Sequence, residues 1–123
     1  MSKIQEFLKN QEKSVMSNVE GKTIIDYFNN NAEEVPEYPA LNTPINSEYT
    51  GWDSVSWSAY RETVHNLASG LIDIGLQAED NAFIVANNVK EHFICDLGIM
   101  HAGGVPSTIY KQLKSGQIEY ISN

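Results

Sequence analysis

Apolar and polar positions alternate along this chain with helical spacing in some stretches and strand spacing in others, and the clearest series spans residues 80–110. An apolar run over 80–86 leads through Asn87-Asn88 into a helical segment over 89–102. Gly103-Gly104 then breaks the helix ahead of a second apolar run over 105–110. Strand, helix and strand in that order predict a βαβ crossover, the building unit of parallel sheets. Within the helix, Val89, Phe93, Leu97 and Met100 form one stripe, while Ile94, Cys95, Ile99 and Ala102 occupy most of the rest. A helix apolar nearly all round is one covered on several sides. A chain of 123 residues can hardly supply that cover, so the pattern predicts covering protein beyond this chain.

The remaining elements are shorter. Residues 1–21 are polar and weakly patterned, with Ile4, Phe7 and Leu8 as the main apolar contacts, and predict a loose peripheral helix. Thr23 has the character of an N-cap, and Asp26 completes a shortened capping box. Ile24, Phe28 and Ala32 then give a helix to about Glu34, stopped by Val35-Pro36. Residues 38–41 predict a short edge strand because of Pro39, and 55–57 a second one. Turn chemistry over 43–53 makes the pair a hairpin with a long loop. Ser58 is the expected cap of the most regular helix, with Tyr60, Val64, Leu67, Ala68 and Leu71 on one side and Glu62, His65, Asn66 and Asp73 on the other. Gly75 stands where a left-handed C-terminal residue is wanted. A final helix over 116–121 follows a cap at Ser115, and no strand follows it, which leaves an open parallel edge.

Charge narrows the classes of function. The net charge is −8, yet four of the eight basic residues (Lys3, Lys9, Lys13 and Lys22) lie in the first 22 positions. From Thr23 onward four bases face thirteen acids. Such a body repels polyanions, so nucleic acid and acidic membrane surfaces are poor partners. The single cysteine, Cys95, permits no internal disulfide, and no apolar run approaches a membrane span or a signal peptide. The expected location is cytoplasmic.

Candidate chemistry is sparse. His92 and His101 are nine apart on opposite sides of one helix and His65 lies on another, with no spacing that suits a metal. Cys95 has His92 three residues earlier but acidic and apolar surroundings, which describe a buried inert thiol. Asp96 falls inside the apolar stripe, and a carboxylate there calls for named hydrogen-bond partners. Gly103-Gly104 is read as a C-cap with close helix–strand approach. Trp52, Trp57 and Tyr60 are read as core and loop packing.

The order of these segments resembles the N-terminal part of the adenylate-forming (AMP-binding) synthetases, in particular the long-chain fatty acyl-CoA synthetases. Residues 23–28 and 39–41 are similar to the family's opening helix and first strand. Trp57-Ser58-Ala59-Tyr60-Arg61, Leu67-Ala68-Ser69-Gly70-Leu71 and Gly75 resemble its first core motif. Asn88-Val89-Lys90-Glu91, Asp96-Leu97-Gly98 and Ala102-Gly103-Gly104-Val105-Pro106 resemble the second, with Thr108-Ile109-Tyr110 and residues 117–121 as its continuation. Two departures stand out: Glu79 where the family usually has glycine, and Arg61 where an acid is common.

The resemblance implies an α/β fold: a partial parallel βαβ sheet with a small antiparallel hairpin, an incomplete N-terminal part of the adenylate-forming synthetase fold. It implies residues 1–22 as a polar extension and 23–123 as the N-terminal part of an AMP-binding domain, truncated. For the full-length enzyme it implies activation of a fatty acid with ATP and Mg to an acyl-adenylate, then transfer to coenzyme A. It also allows a membrane-peripheral location for that enzyme. The family's phosphate loop, magnesium motif, ribose-binding aspartate and catalytic lysine have no counterpart in these residues. The expectation is therefore no catalytic, cofactor-binding or metal residue here, and an inactive piece on whose open sheet edge the rest of the synthetase domain packs. The alternative is a standalone, non-catalytic α/β interaction module derived from such an enzyme.

Overall fold

A computed structural model describes residues 2–123. The chain opens with α1 (Lys3–Val19), where Ser2 and Gln5 form a reciprocal capping box. This helix is continuous over 17 residues rather than loose. None of its residues is buried, and its contact with the rest includes the Tyr27 hydroxyl, which donates to Asn18 O.

Next comes α2 (Ile24–Glu34), capped as the sequence predicts. Thr23 N–H and Oγ1 both donate to the Asp26 carboxylate, at 2.6 and 2.8 Å, while Asp26 N–H donates to Thr23 Oγ1 at 3.4 Å. Those bonds hold the Asp26 carboxyl below its usual range. Strands β1 (Pro39–Pro44) and β2 (Trp52–Ser56) pair antiparallel, with Leu41 opposite Val55 and Pro44 opposite Trp52. The hairpin is longer than the apolar pattern shows. Asn46 closes its loop, with Oδ1 accepting from the Glu48 and Thr50 N–H groups at 3.1 and 3.2 Å.

Helix α3 (Trp57–Asp73) begins earlier than expected. Its cap is Ser56, whose hydroxyl accepts from Ala59 N–H at 3.3 Å, so Trp57 is helical and Ser58 lies inside the first turn. The physical reason is that β2 runs straight into the helix: Trp57 N–H still donates to Tyr38 O at 3.0 Å as the ladder ends. The far end is a Schellman motif. Leu76 N–H reaches Leu71 O at 2.9 Å and Gly75 N–H reaches Ile72 O at 3.0 Å, with Gly75 at φ 108°.

The crossover follows: β3 (Asn81–Ile84), α4 (Lys90–His101) and β4 (Val105–Thr108). The strands pair in parallel from Asn81 opposite Val105 to Ile84 opposite Thr108. A second Schellman motif ends α4, with Gly104 N–H on Ile99 O at 2.9 Å and Gly103 N–H on Met100 O at 3.0 Å. Gly104 is also where helix meets strand, since a Cβ there would stand 3.2 Å from Asp80 O and 3.0 Å from Ile99 Cγ2. Helix α5 (Ser115–Ser122) ends the chain, with Lys114 rather than Ser115 at the cap position. The expected α/β architecture, one small hairpin and one parallel strand pair, is what the chain adopts.

The core lies where α2, α3 and α4 meet the hairpin. Phe28, Tyr60 and Val64 form its centre, with Leu41, Trp57 and Leu97 against it. Phe28 meets Tyr60 and Trp57 edge-to-face, at centroid distances of 5.0 and 5.9 Å. Between α3 and α4 the backbones approach closely at Gly98, where a Cβ would fall 2.7 Å from Leu67 Cδ2.

Candidate functional site

The apolar residues of α4 divide into three faces. Ile99 and Cys95 turn toward the strands and α3, and Gly98 abuts Leu67. The third face, with Phe93, Leu97 and Met100, meets only part of α2 and β1 and leaves a groove of about 340 Å³. Ile24 and Tyr27 of α2 form its opposite wall, and Trp57 and Tyr60 line it as well. Phe93 remains 50% exposed, which marks how incompletely the helix is covered. A second apolar cleft of about 310 Å³ lies between α3, β3 and α4 and includes Leu71, Phe83 and Cys95. The prediction of an under-covered central helix thus has a physical counterpart on two sides.

Asp96 lines the first groove without the partners expected of it. It is half-buried and, among the described residues, makes no hydrogen bond and no ion pair. Burial pushes the Tyr60 phenol up to about 12, and the Asp96 charge adds to that shift. The sequence reading of Asp96 as a buried and tied carboxylate is corrected: the groove leaves it open where a tie was expected.

Tertiary structure brings His65 and His101 together, with ring centroids 5.2 Å apart across α3 and α4. His101 Nδ1 is 2.7 Å from Leu97 O, and its Nε2 is buried without a partner. Burial lowers the His65 pKa, and the charges of His101 and Arg61 lower it further. Helical spacing alone gave no signal for this pair because its members sit on different helices. His92 lies apart, with Nε2 3.0 Å from Thr108 Oγ1. Among the described residues, no group of three or more His, Cys, Asp or Glu side chains converges on a point that could hold a metal. Cys95 is half-buried rather than fully enclosed.

Arg61 makes a 3.7 Å ion pair with Glu33 of α2, a surface tie between helices. Lys90, at the start of α4, donates to Asp53 of the hairpin at 2.8 Å, which raises its pKa. Both are positioning contacts for scaffold elements. The Gly103-Gly104 turn does not suit a phosphate. Its two N–H groups are committed to Met100 and Ile99 carbonyls, whereas anion binding needs convergent free donors and positive charge. That turn therefore offers a phosphate no free donors, and no chemical step is assigned to it.

A parallel strand pair joined by a helix, with a hairpin and two further helices packed against it, defines part of an α/β domain. The family model for AMP-binding enzymes matches residues 28–123, and the chain belongs to that family. A long-chain-fatty-acid–CoA ligase of Mus musculus is 31% identical over 99 residues, which are 80% of this chain and 14% of that protein. The ligase named heimdall from Drosophila melanogaster is 27% identical over 88% of this chain and 16% of its own length. An uncharacterized protein of Mycobacterium tuberculosis, also 27% identical, is matched over 54% of its length. Among solved structures, the fatty acid AMP ligase of Legionella pneumophila superposes on 80% of this chain and 17% of its own with a TM-score of 0.67 at 14% identity. Acetoacetyl-CoA synthetase of Streptomyces lividans gives 0.69 at 21% identity, over 79% of this chain and 15% of its own. The chain therefore spans about a sixth of the length of the ligases it matches, and its fold is a partial adenylate-forming domain.

Proposed function

We propose that this chain is the N-terminal scaffold of a fatty acid–CoA ligase. In the whole enzyme a carboxylic acid is activated with ATP and Mg to an acyl-adenylate and passed to coenzyme A. The chain itself supplies packing surfaces, and the apolar cleft between α3, β3 and α4 is the part that suits an acyl-site wall. It binds neither ATP, Mg nor coenzyme A alone and is inactive by itself. The rest of the synthetase domain packs on the open edge of the β3–β4 sheet, and the enzyme works in the cytoplasm. Among the described residues, no helix is long and apolar enough to cross a membrane.

The observation that carries this reading is the ordered family match over residues 28–123 together with long-chain-fatty-acid–CoA ligases as relatives. The test is the coding sequence downstream of Asn123. An open frame that continues into a glycine-rich phosphate loop and a C-terminal catalytic lysine is the expected result. A stop codon at that point with no such motifs downstream overturns it.

The short Mycobacterium tuberculosis relative, matched over 54% of its length, favours a second reading: a standalone interaction module derived from such an enzyme. That reading expects the 123-residue chain to unfold cooperatively as a defined monomer or dimer. Aggregation or a molten state speaks for the ligase piece.

A further inference from the structure

The groove between α2 and α4 combines two properties that restrict what can fill it. Its walls are aromatic and aliphatic, with Tyr27, Phe93, Leu97 and Met100 prominent, so water fills it poorly. Yet Asp96 lines it with no hydrogen bond or ion pair among the described residues, and Tyr60 lines the same groove. An apolar occupant alone would strip water from that carboxylate without replacing its hydrogen bonds, which is costly. An anionic occupant, such as a fatty carboxylate, would bring like charge onto it. The chain as a whole carries −8, which disfavours anions further. A flat lipid surface cannot enter a groove walled on both sides by helices. What remains complementary is an apolar segment that carries one strong cationic donor.

We propose that this groove is a docking seat for a polypeptide segment in which an arginine or lysine sits among apolar side chains, its cation paired with Asp96. The apolar flanks cover Phe93, Met100 and Tyr27, and the cation supplies the hydrogen bonds that Asp96 lacks. A guanidinium suits the site best, since it is planar, weakly hydrated and able to lie on the aromatic wall while it bonds a carboxylate. The proposal rests on the groove alone and not on the ligase assignment, so each can fail without the other.

The test uses the full chain and three simple probes with one tail: dodecylguanidinium, dodecanol and dodecanoate, each below its aggregation concentration. Binding is read from Trp57, which lines the groove, in a Trp52→Phe background. Dodecylguanidinium is expected to bind about tenfold more tightly than dodecanoate, the size of one charge-assisted hydrogen bond. Asp96→Asn should remove most of that preference and Asp96→Glu should retain it. Asp73→Asn, the same charge change at an exposed position, should leave it within about twofold. Phe93→Ser should weaken all three probes alike. Equal or tighter binding of dodecanoate overturns the proposal and marks an acyl pocket. A cation preference that survives Asp96→Asn also overturns it, as general attraction to an acidic protein, and so does failure of all three probes to bind.

Discussion

Glu79 occupies a backbone position with φ 70°, in the left-handed region, where its N–H donates to Gly103 O at 2.8 Å. A residue with a Cβ is strained there by about 1 kcal/mol or more, and glycine is not. The departure from the family's usual glycine is thus a local strain at the turn before β3. Glu79→Gly is expected to stabilise the chain by roughly 0.5–1 kcal/mol, read as a higher denaturation midpoint in urea. Gly98 shows the opposite case. A Cβ there would meet Leu67 Cγ at 2.9 Å and Leu67 Cβ at 3.3 Å, atoms close to the α3 backbone that cannot swing aside. Gly98→Val should destabilise by about 1–3 kcal/mol, visible in thermal denaturation, because the helices must separate. Tyr60 fixes a pH dependence. Its folded pKa of about 12 lies above the ordinary value of 10.0. Between those values the unfolded chain has lost a proton that the folded chain retains, so stability falls as pH rises from 10 toward 12. Urea midpoints should decline across that window, and the decline should shrink in Tyr60→Phe.

At the scale of elements, what the sequence revealed depended on whether the signal was local. Thr23 with Asp26, and Gly75 and Gly103 after their helices, are backbone solutions written within a few residues, and the structure contains each of them. The βαβ crossover was legible for the same reason. The start of α3 was not, because Trp57 reads as a strand residue until the β1–β2 ladder is seen to end in the Ser56 cap. The regularity of α1 was under-read, although Ser2 and Gln5 carry its capping box in plain spacing. The His65–His101 contact and the unpaired Asp96 could not be read at all, since both depend on how α3 and α4 lie against other elements. Among these elements α1 stands apart. Ile4, Leu8, Val15 and Val19 share one of its sides, all exposed, and its tie to the rest includes Tyr27 Oη donating to Asn18 O. Removal of residues 1–22 should therefore shift the thermal midpoint by no more than about 2 °C, since α1 contributes no buried residue.

For the whole molecule the balance is between a well-specified backbone and too little cover. Thr23 and Ser56 cap α2 and α3, Schellman turns close α3 and α4, and Phe28, Tyr60 and Val64 form a small buried core. Around it stand two apolar grooves on opposite sides of α4 and a two-stranded parallel sheet. Membership of the AMP-binding family gives that structure its context. We propose that this chain carries the family's framework without its chemistry. Calorimetric titration of the 123-residue chain with Mg-ATP, run beside fatty-acid-dependent exchange of pyrophosphate into ATP, tests it most directly. No binding heat and no exchange are expected. A saturable Mg-ATP isotherm, or exchange that requires the fatty acid, would contradict it.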